Sequence, residues 1–362
     1  GDGWADPGMV VNNAASCAAL HYYLETPETL EQVRIVRDYA LANLPPDHGR
    51  MGNVYNTGYA ILLLYGRHAE AEDLIRQHLA LERRLHSGDA DDIYDPLSML
   101  ARVRSRRGAL EDAADLFAAA AAMAERLSNG AQPYTAGLSR ANEARVLTKL
   151  GQLDRAKAQA QRGLDRLRAD VAPDDWHIGS VQVLLADIAR QQGELEHGLA
   201  LVDEGLILLR AKLPPTHSEV VSGEMVRAQL LARMGEGAAA LGVARDLVTV
   251  LEDKMFDLTA GERGQVALES FLQSAFGRYM DVALHTGSDR DAVRAAQLQL
   301  ISNLTVTNAR IAGARVAQDA GIATLLAELE TAQIAMEEAE EALRAAQGDD
   351  AQDSAPLAAS LQ

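Results

Sequence analysis

Apolar positions recur along this chain with the spacing of a helix, and the helices they predict come in pairs around glycines. From Tyr94 to Arg107, Leu97, Leu100, Ala101 and Val103 share one face, and from Ala109 to Leu127, Ala113, Leu116, Phe117 and Ala120 do the same. Gly108 separates the two stretches. A glycine there supplies the unrestricted backbone of a tight helix-to-helix turn, so the segment predicts two antiparallel helices. The pattern returns around Gly66 (Gly52 to Leu85), Gly151 (Tyr134 to Arg168), Gly193 (Ile178 to Leu213) and Gly235 (Ser218 to Leu251).

These five glycines stand 42, 43, 42 and 42 residues apart. A near-constant period of that length marks one supersecondary unit repeated, each copy unable to bury its apolar face alone and so stacked on its neighbour. Small residues keep the same phase. Ala101, Ala144, Ala186 and Ala228 lie seven before their glycine, and Ala71, Ala113, Ala156, Gly198 and Ala240 lie five after it, where short side chains let helices approach closely.

The punctuation between units is also periodic. Leu44-Pro45-Pro46-Asp47-His48 and Leu213-Pro214-Pro215-Thr216-His217 each place a histidine 18 residues before a glycine, and Pro173-Asp174-Asp175 takes the same phase before Gly193. The prolines stop the preceding helix, and the polar residue after them is placed to cap the next one. With no cysteine or carboxylate cluster nearby in sequence, these histidines are expected as loop or capping groups rather than metal ligands.

After Leu251 the period fails. A helical stretch from Gln265 to His285 leads to Gly287, 52 residues past Gly235, and Asp291 to Ala317 reads as one long helix broken near Ala320-Gly321. From Thr324 to Gln347, Leu325, Leu329, Ala332, Met336, Ala339, Leu343 and Ala346 form a heptad seam, which either folds back as a short hairpin or pairs as a coiled coil. Asp349 to Gln362 reads as a linker or disordered tail. The expected organisation is a repeat array over residues 1–253, with a degenerate first pair from Val10 to Asn43. C-terminal capping helices and the heptad helix follow over 254–347, and the tail over 348–362.

Composition adds the class and removes some partners. Aromatics are 4% of the 362 residues, while alanine runs such as Ala118 to Ala122 favour helix over strand. The expected fold is all-α, a right-handed α-solenoid of helix hairpins followed by irregular long helices. A net charge of -18 repels phosphate backbones and anionic membranes, so nucleic acid is not an expected partner. No stretch approaches the length of a membrane span. The one cysteine, Cys17, has no partner for an internal disulfide; it reads as a small buried helix residue and fits a reducing, cytoplasmic compartment. The chain starts Gly1-Asp2-Gly3 without a methionine, so its ends need not be natural ends.

The frame of Leu100-Ala101, Gly108, Ala113, Phe117 and Ala120 resembles the tetratricopeptide repeat. The 42-residue period with its Pro45-Pro46-Asp47-His48 linker is similar to the long-helix variety of kinesin light chains and many bacterial sensor proteins. The resemblance covers roughly residues 10–253, and departs from the family where Gly198 replaces the usual alanine and Glu143 and Gly58 the usual leucine. It implies a concave surface lined by the first helix of each pair, at positions 13, 10, 9, 6, 3 and 2 before the hinge glycine. Those positions give Asn53 and Asn56; Asp95, Ser98, Arg102 and Arg106; Asn142, Arg145 and Lys149; Asp187 and Arg190; then Gln229 and Arg233. Amides suit an extended peptide backbone and arginines suit carboxylates, so this face is expected to take a protein or peptide ligand, acidic or ending in a free C-terminus. The competing reading is a solvated polar face.

A second resemblance concerns the C-terminal helices. The run Ala292-Val293-Arg294-Ala295-Ala296-Gln297, through Ala309-Arg310 to the Leu325 and Leu329 heptads, resembles the segment joining tetratricopeptide arrays to CHAT-type cysteine peptidase domains in bacteria. That resemblance implies a peptidase following this chain, with the chain as its sensing or regulatory half. The peptidase's own histidine and cysteine have no counterpart here.

Signatures of catalysis are missing: there is no P-loop, no G-x-G-x-x-G, no H-E-x-x-H and no C-x-x-C. Gly137-Leu138-Ser139-Arg140-Ala141 lacks the last glycine of a nucleophile elbow and reads as a helix start. Asp89, Asp91, Asp92 and Asp95 lack the glycine and distal glutamate of a calcium loop and are expected to cap a helix. No catalytic residue, cofactor or metal ligand is expected. Two functions stay open: a sensing module that captures a ligand and signals through its C-terminal helices, and a scaffold or oligomerisation adaptor assembled through the heptads.

Overall fold

A computed structural model describes residues 29–315 apart from residues 46, 65–66, 87, 89, 128–133 and 259–264. Every regular element among them is a helix: α1 (Thr29–Asn43), α2 (Met51–Leu64), α3 (His68–Leu85), α4 (Asp91–Arg106), α5 (Leu110–Leu127), α6 (Thr135–Lys149), α7 (Leu153–Asp170), α8 (Trp176–Gln192), α9 (Leu195–Lys212), α10 (Ser218–Arg233), α11 (Gly237–Leu258), α12 (Gln265–Thr286) and α13 (Asp289–Arg315). The chain divides into two compact units, Gly1–Val306 and Thr307–Gln362, and the first contains α1 to α12 and the start of α13. Cys17, the part of the degenerate first pair before Thr29, the Gly66 hinge, the heptad seam and the tail lie outside the described residues.

The hinges are built alike. Gly108, Gly151, Gly193 and Gly235 have φ of 82°, 73°, 82° and 85°, the left-handed region that only glycine enters without strain. The next amide returns to a carbonyl five residues back, as Ala109 to Arg104, Gln152 to Leu147, Glu194 to Ala189 and Glu236 to Leu231, at 2.9–3.0 Å. That bond closes a Schellman ending and releases the chain into the second helix. A Cβ at any of the four would meet nothing within 4 Å, so the backbone, not crowding, requires the glycine. Gly287 repeats the geometry with φ 68° and Ser288 bonded to Ala283 at 2.9 Å. The spacing changes after Gly235, but α12 and α13 still meet at a hinge of the same kind.

Packing follows from neighbour to neighbour. Ala101, Ala144, Ala186 and Ala228 are fully buried, as are Ala71, Ala113, Ala156 and Ala240, which places the small residues at helix crossings. Four apolar clusters succeed one another along the stack, and two of them share α8 and two share α10, the arrangement of a solenoid in which each unit covers the next. Glu143, where the repeat family has leucine, is buried with its carboxylate beside Arg140.

A second set of small residues brings backbones together. A Cβ on Gly179 would lie 2.6 Å from the Gly205 carbonyl oxygen, and one on Gly205 would lie 2.8 Å from that of Gly179. Gly137 and Gly163, one unit earlier, make the same reciprocal contact at 3.0 and 2.8 Å. Here α6 meets α7, and α8 meets α9, with no side chain between them.

The linkers behave as the sequence predicts. His217 is the N-cap of α10, its Nδ1 accepting from the Glu219 amide at 3.3 Å, and His48 Nδ1 accepts from the Arg50 amide at 3.2 Å. Asp175 caps α8 by accepting from the His177 amide at 2.8 Å. The helix after the aspartate run is not capped by an aspartate, contrary to the expectation from sequence. The N-cap of α4 is Ala90, with no side-chain cap bond, and Asp92 turns back toward His86 instead.

Candidate functional site: a groove along the first helices

The first helices α6, α8, α10 and α12 line a cavity of about 770 Å³. Apart from Glu219, each of its lining residues stands 13, 10, 9, 6, 3 or 2 places before a hinge glycine, with Gly287 counted as the hinge for Arg278. Of the residues expected from sequence, Arg145, Lys149, Asp187, Arg190, Gln229 and Arg233 are among them. Asn142 lies one turn from this lining and its amide oxygen accepts from Arg145 at 3.4 Å. Asn53 and Asn56 on α2 and Arg102 and Arg106 on α4 are exposed at the same register of earlier units, outside the cavity itself.

The two ends of this surface differ in charge. Toward α12, cations and acids neutralise each other. Asp187 takes Arg190 at 2.8 Å and Arg278 at 3.1 Å; Arg278 donates to Gln229 at 2.7 Å, and Gln229 donates to Asp281 at 2.6 Å. Burial alone would raise the Asp187 pKa, but Arg278 and then Arg190 pull it below the usual carboxylate value. Arg190 and Gln229 are themselves buried, and Arg233 donates to the Arg190 carbonyl at 3.3 Å. Arg278 escaped the sequence reading because its register is counted from Gly287.

Toward α4, cations outnumber acids. Arg145 donates to the Ser180 hydroxyl at 2.8 Å and lies 3.3 Å from Glu219, so its charge is met. Among the described residues, Arg102, Arg106 and Lys149 have no ion pair or hydrogen bond at their charged ends. The Lys149 ammonium is lowered below the usual lysine value by the protein around it, then by the positive charges of Arg106 and Arg145. Tyr59, buried on α2 within the field of Arg102 and Arg106, keeps a hydroxyl with no hydrogen-bond partner. Exposed like charges gathered in this way attract anions.

Fold and groove together define a helical-repeat protein, an α-solenoid of tetratricopeptide-like hairpins. Its structure is similar to the apo form of RapI, with a TM-score of 0.64 and 8% identity over 82% of this chain and 98% of that one. It is similar to aspartyl phosphate phosphatase F from Bacillus subtilis, at 0.57 and 15% over 79% and 68%. A Rap protein complexed with competence and sporulation factor matches at 0.51 and 11% over 81% and 84%. No protein-family model and no curated protein matches the chain. Among the described residues, no helix is long and apolar enough to cross a membrane.

Proposed function

We propose that this chain is a protein- or peptide-binding module whose first helices hold an extended ligand segment, with the ligand's acidic or C-terminal end against Arg102, Arg106 and Lys149. The observation that carries this reading is the set of unpaired cations on the groove register of a chain with net charge -18. Everywhere else in the groove the arginines have acids or carbonyls to meet. Cations left unmet beside one another repel, and a ligand carboxylate relieves that repulsion. Solenoids suit such capture because one segment can lie along several units at once. A similar solved structure is of a Rap protein complexed with a factor, which agrees with ligand capture by this type of fold.

The module serves as the sensing half of a larger bacterial protein. Its α12 is tied to the groove through Arg278, so a ligand that shifts α8 or α10 acts directly on the helices leading toward the C-terminus. The resemblance of the segment from Ala292 onward supports a CHAT-type peptidase as the domain that responds. The nucleotide sequence encoding the region after Gln362 tests this part: a following domain with a paired histidine and cysteine agrees with it, and a stop codon contradicts it.

Fluorescence anisotropy of an acidic, C-terminally free peptide tests the groove. Arg106→Glu with Lys149→Glu should weaken its binding by about tenfold or more, since each lost charged contact is worth roughly 1.5–3 kcal/mol. Unchanged binding would remove the basic end from the site.

A further inference from the structure

A different polar cluster occupies the joint between α3 and α4. Spacing of four puts His78 and Glu82 on one face of α3, His86 is the extended residue that ends that helix, and Asp92 stands in the first turn of α4. His86 Nε2 lies 3.4 Å from Glu82 Oε2 and 3.2 Å from Asp92 Oδ2, and one ligand atom from each of the three residues lies within 4.8 Å of the others. Behind them, His78 Nε2 is 3.2 Å from the other Glu82 oxygen, Oε1. Gly52 of α2 leaves the room for this pair: a Cβ there would sit 3.0 Å from Glu82 Oε1 and 3.1 Å from His78 Nε2.

The choice of partners for Glu82 sets it apart. Among the described residues the buried carboxylates are Glu72, Glu82, Glu143 and Asp291. Glu72 meets Arg76 and Arg104, Glu143 meets Arg140, and Asp291 meets Arg245. Among the described residues Glu82 meets histidines only, and Asp92, across the joint, pairs with His86. A buried carboxylate facing a second one without a permanent cation is costly, and a divalent ion between them removes the cost.

The types of ligand, more than their spacing, select a class of ion. Tetrahedral bonds of about 2.0–2.1 Å to nitrogen and oxygen imply ligand-to-ligand edges of roughly 3.3–3.4 Å. The two edges at His86, 3.4 and 3.2 Å, are close to that value. An imidazole with two carboxylates suits zinc, whereas calcium and magnesium take six or more oxygens. We propose that Glu82, His86 and Asp92 bind one zinc-class divalent cation, with His78 orienting Glu82 from behind and the ion clasping α3 to α4. Three protein ligands leave a fourth position for water.

Calorimetric titration of the chelator-stripped, untagged full chain with zinc chloride tests this, with cobalt(II) as a second probe whose visible spectrum reports tetrahedral coordination. One equivalent should bind and raise the thermal midpoint. His86→Ala and Asp92→Asn should each weaken binding by about tenfold or more, as the loss of a ligand exceeds the 10–100-fold cost of losing an outer partner. Asp92 is exposed, so its amide variant keeps the fold, which circular dichroism verifies. Asp112→Asn, an exposed acid on α5, should leave binding unchanged. No uptake by the wild type, or uptake that survives both ligand substitutions, overturns the assignment.

Discussion

Arg278 of α12 holds the Asp187 carboxylate of α8, Nη1 to Oδ1 at 3.1 Å, across 91 residues of sequence. The same guanidinium donates to Gln229 of α10 at 2.7 Å, so three successive first helices are joined at the floor of the groove. Arg278→Ala should therefore lower the free energy of urea unfolding by about 1.5–3 kcal/mol, the range for hydrogen bonds to a charged group. Asp187 keeps Arg190 in that variant, which favours the lower figure. A loss under half a kcal/mol would mean that α12 is not tied to the array through this residue.

The two kinds of glycine should respond differently to asparagine. At Gly193, where φ is 82° and space is open, alanine should cost about 1–2 kcal/mol and asparagine less, because asparagine tolerates the left-handed region. At Gly179, where a Cβ would lie 2.6 Å from a carbonyl oxygen, alanine should cost about 1–3 kcal/mol and asparagine more. Thermal melts of the four variants decide it; the same order at both sites would contradict the distinction.

Tyr279 gives a signature at high pH. Burial, then its bond to Asp291, pushes its pKa up to about 12, against about 10 in an unfolded chain. A folded pKa above the unfolded one contributes stability that is whole below about pH 10 and declines as the pH rises toward about 12. The urea midpoint of the wild type should thus fall more steeply across that window than that of Tyr279→Phe. Parallel declines would show that Tyr279 titrates like an unfolded tyrosine.

Much of this was legible in the sequence because its signals are local. A hinge needs φ above zero, and only glycine enters that region freely, so the ladder and its register were visible, and with them the crossing alanines and histidine caps. The reciprocal pairs Gly137–Gly163 and Gly179–Gly205 also repeat with the period, but each requires knowing which turns of two helices face each other. Arg278 needed a sixth hinge, which the changed spacing before Gly287 concealed. The charge of the groove was only half readable: the sequence placed Arg190 and Gln229 on the concave face, but burial and the Asp187–Arg278 network depend on neighbouring units. The Glu82, His86 and Asp92 cluster was hidden for a similar reason. It joins the end of one helix to the start of the next, and there the sequence showed only a run of aspartates.

Photo-crosslinking of an acidic, C-terminally free peptide, with attachment sites read by mass spectrometry, tests the central claim most directly. The peptide's acidic end should label α4 and α6 beside Arg102, Arg106 and Lys149, its other end should label α8 or α10, and excess salt should abolish both. Labels confined to the second helices α5, α7 and α9, or scattered without regard to helix, would contradict a ligand held in the groove.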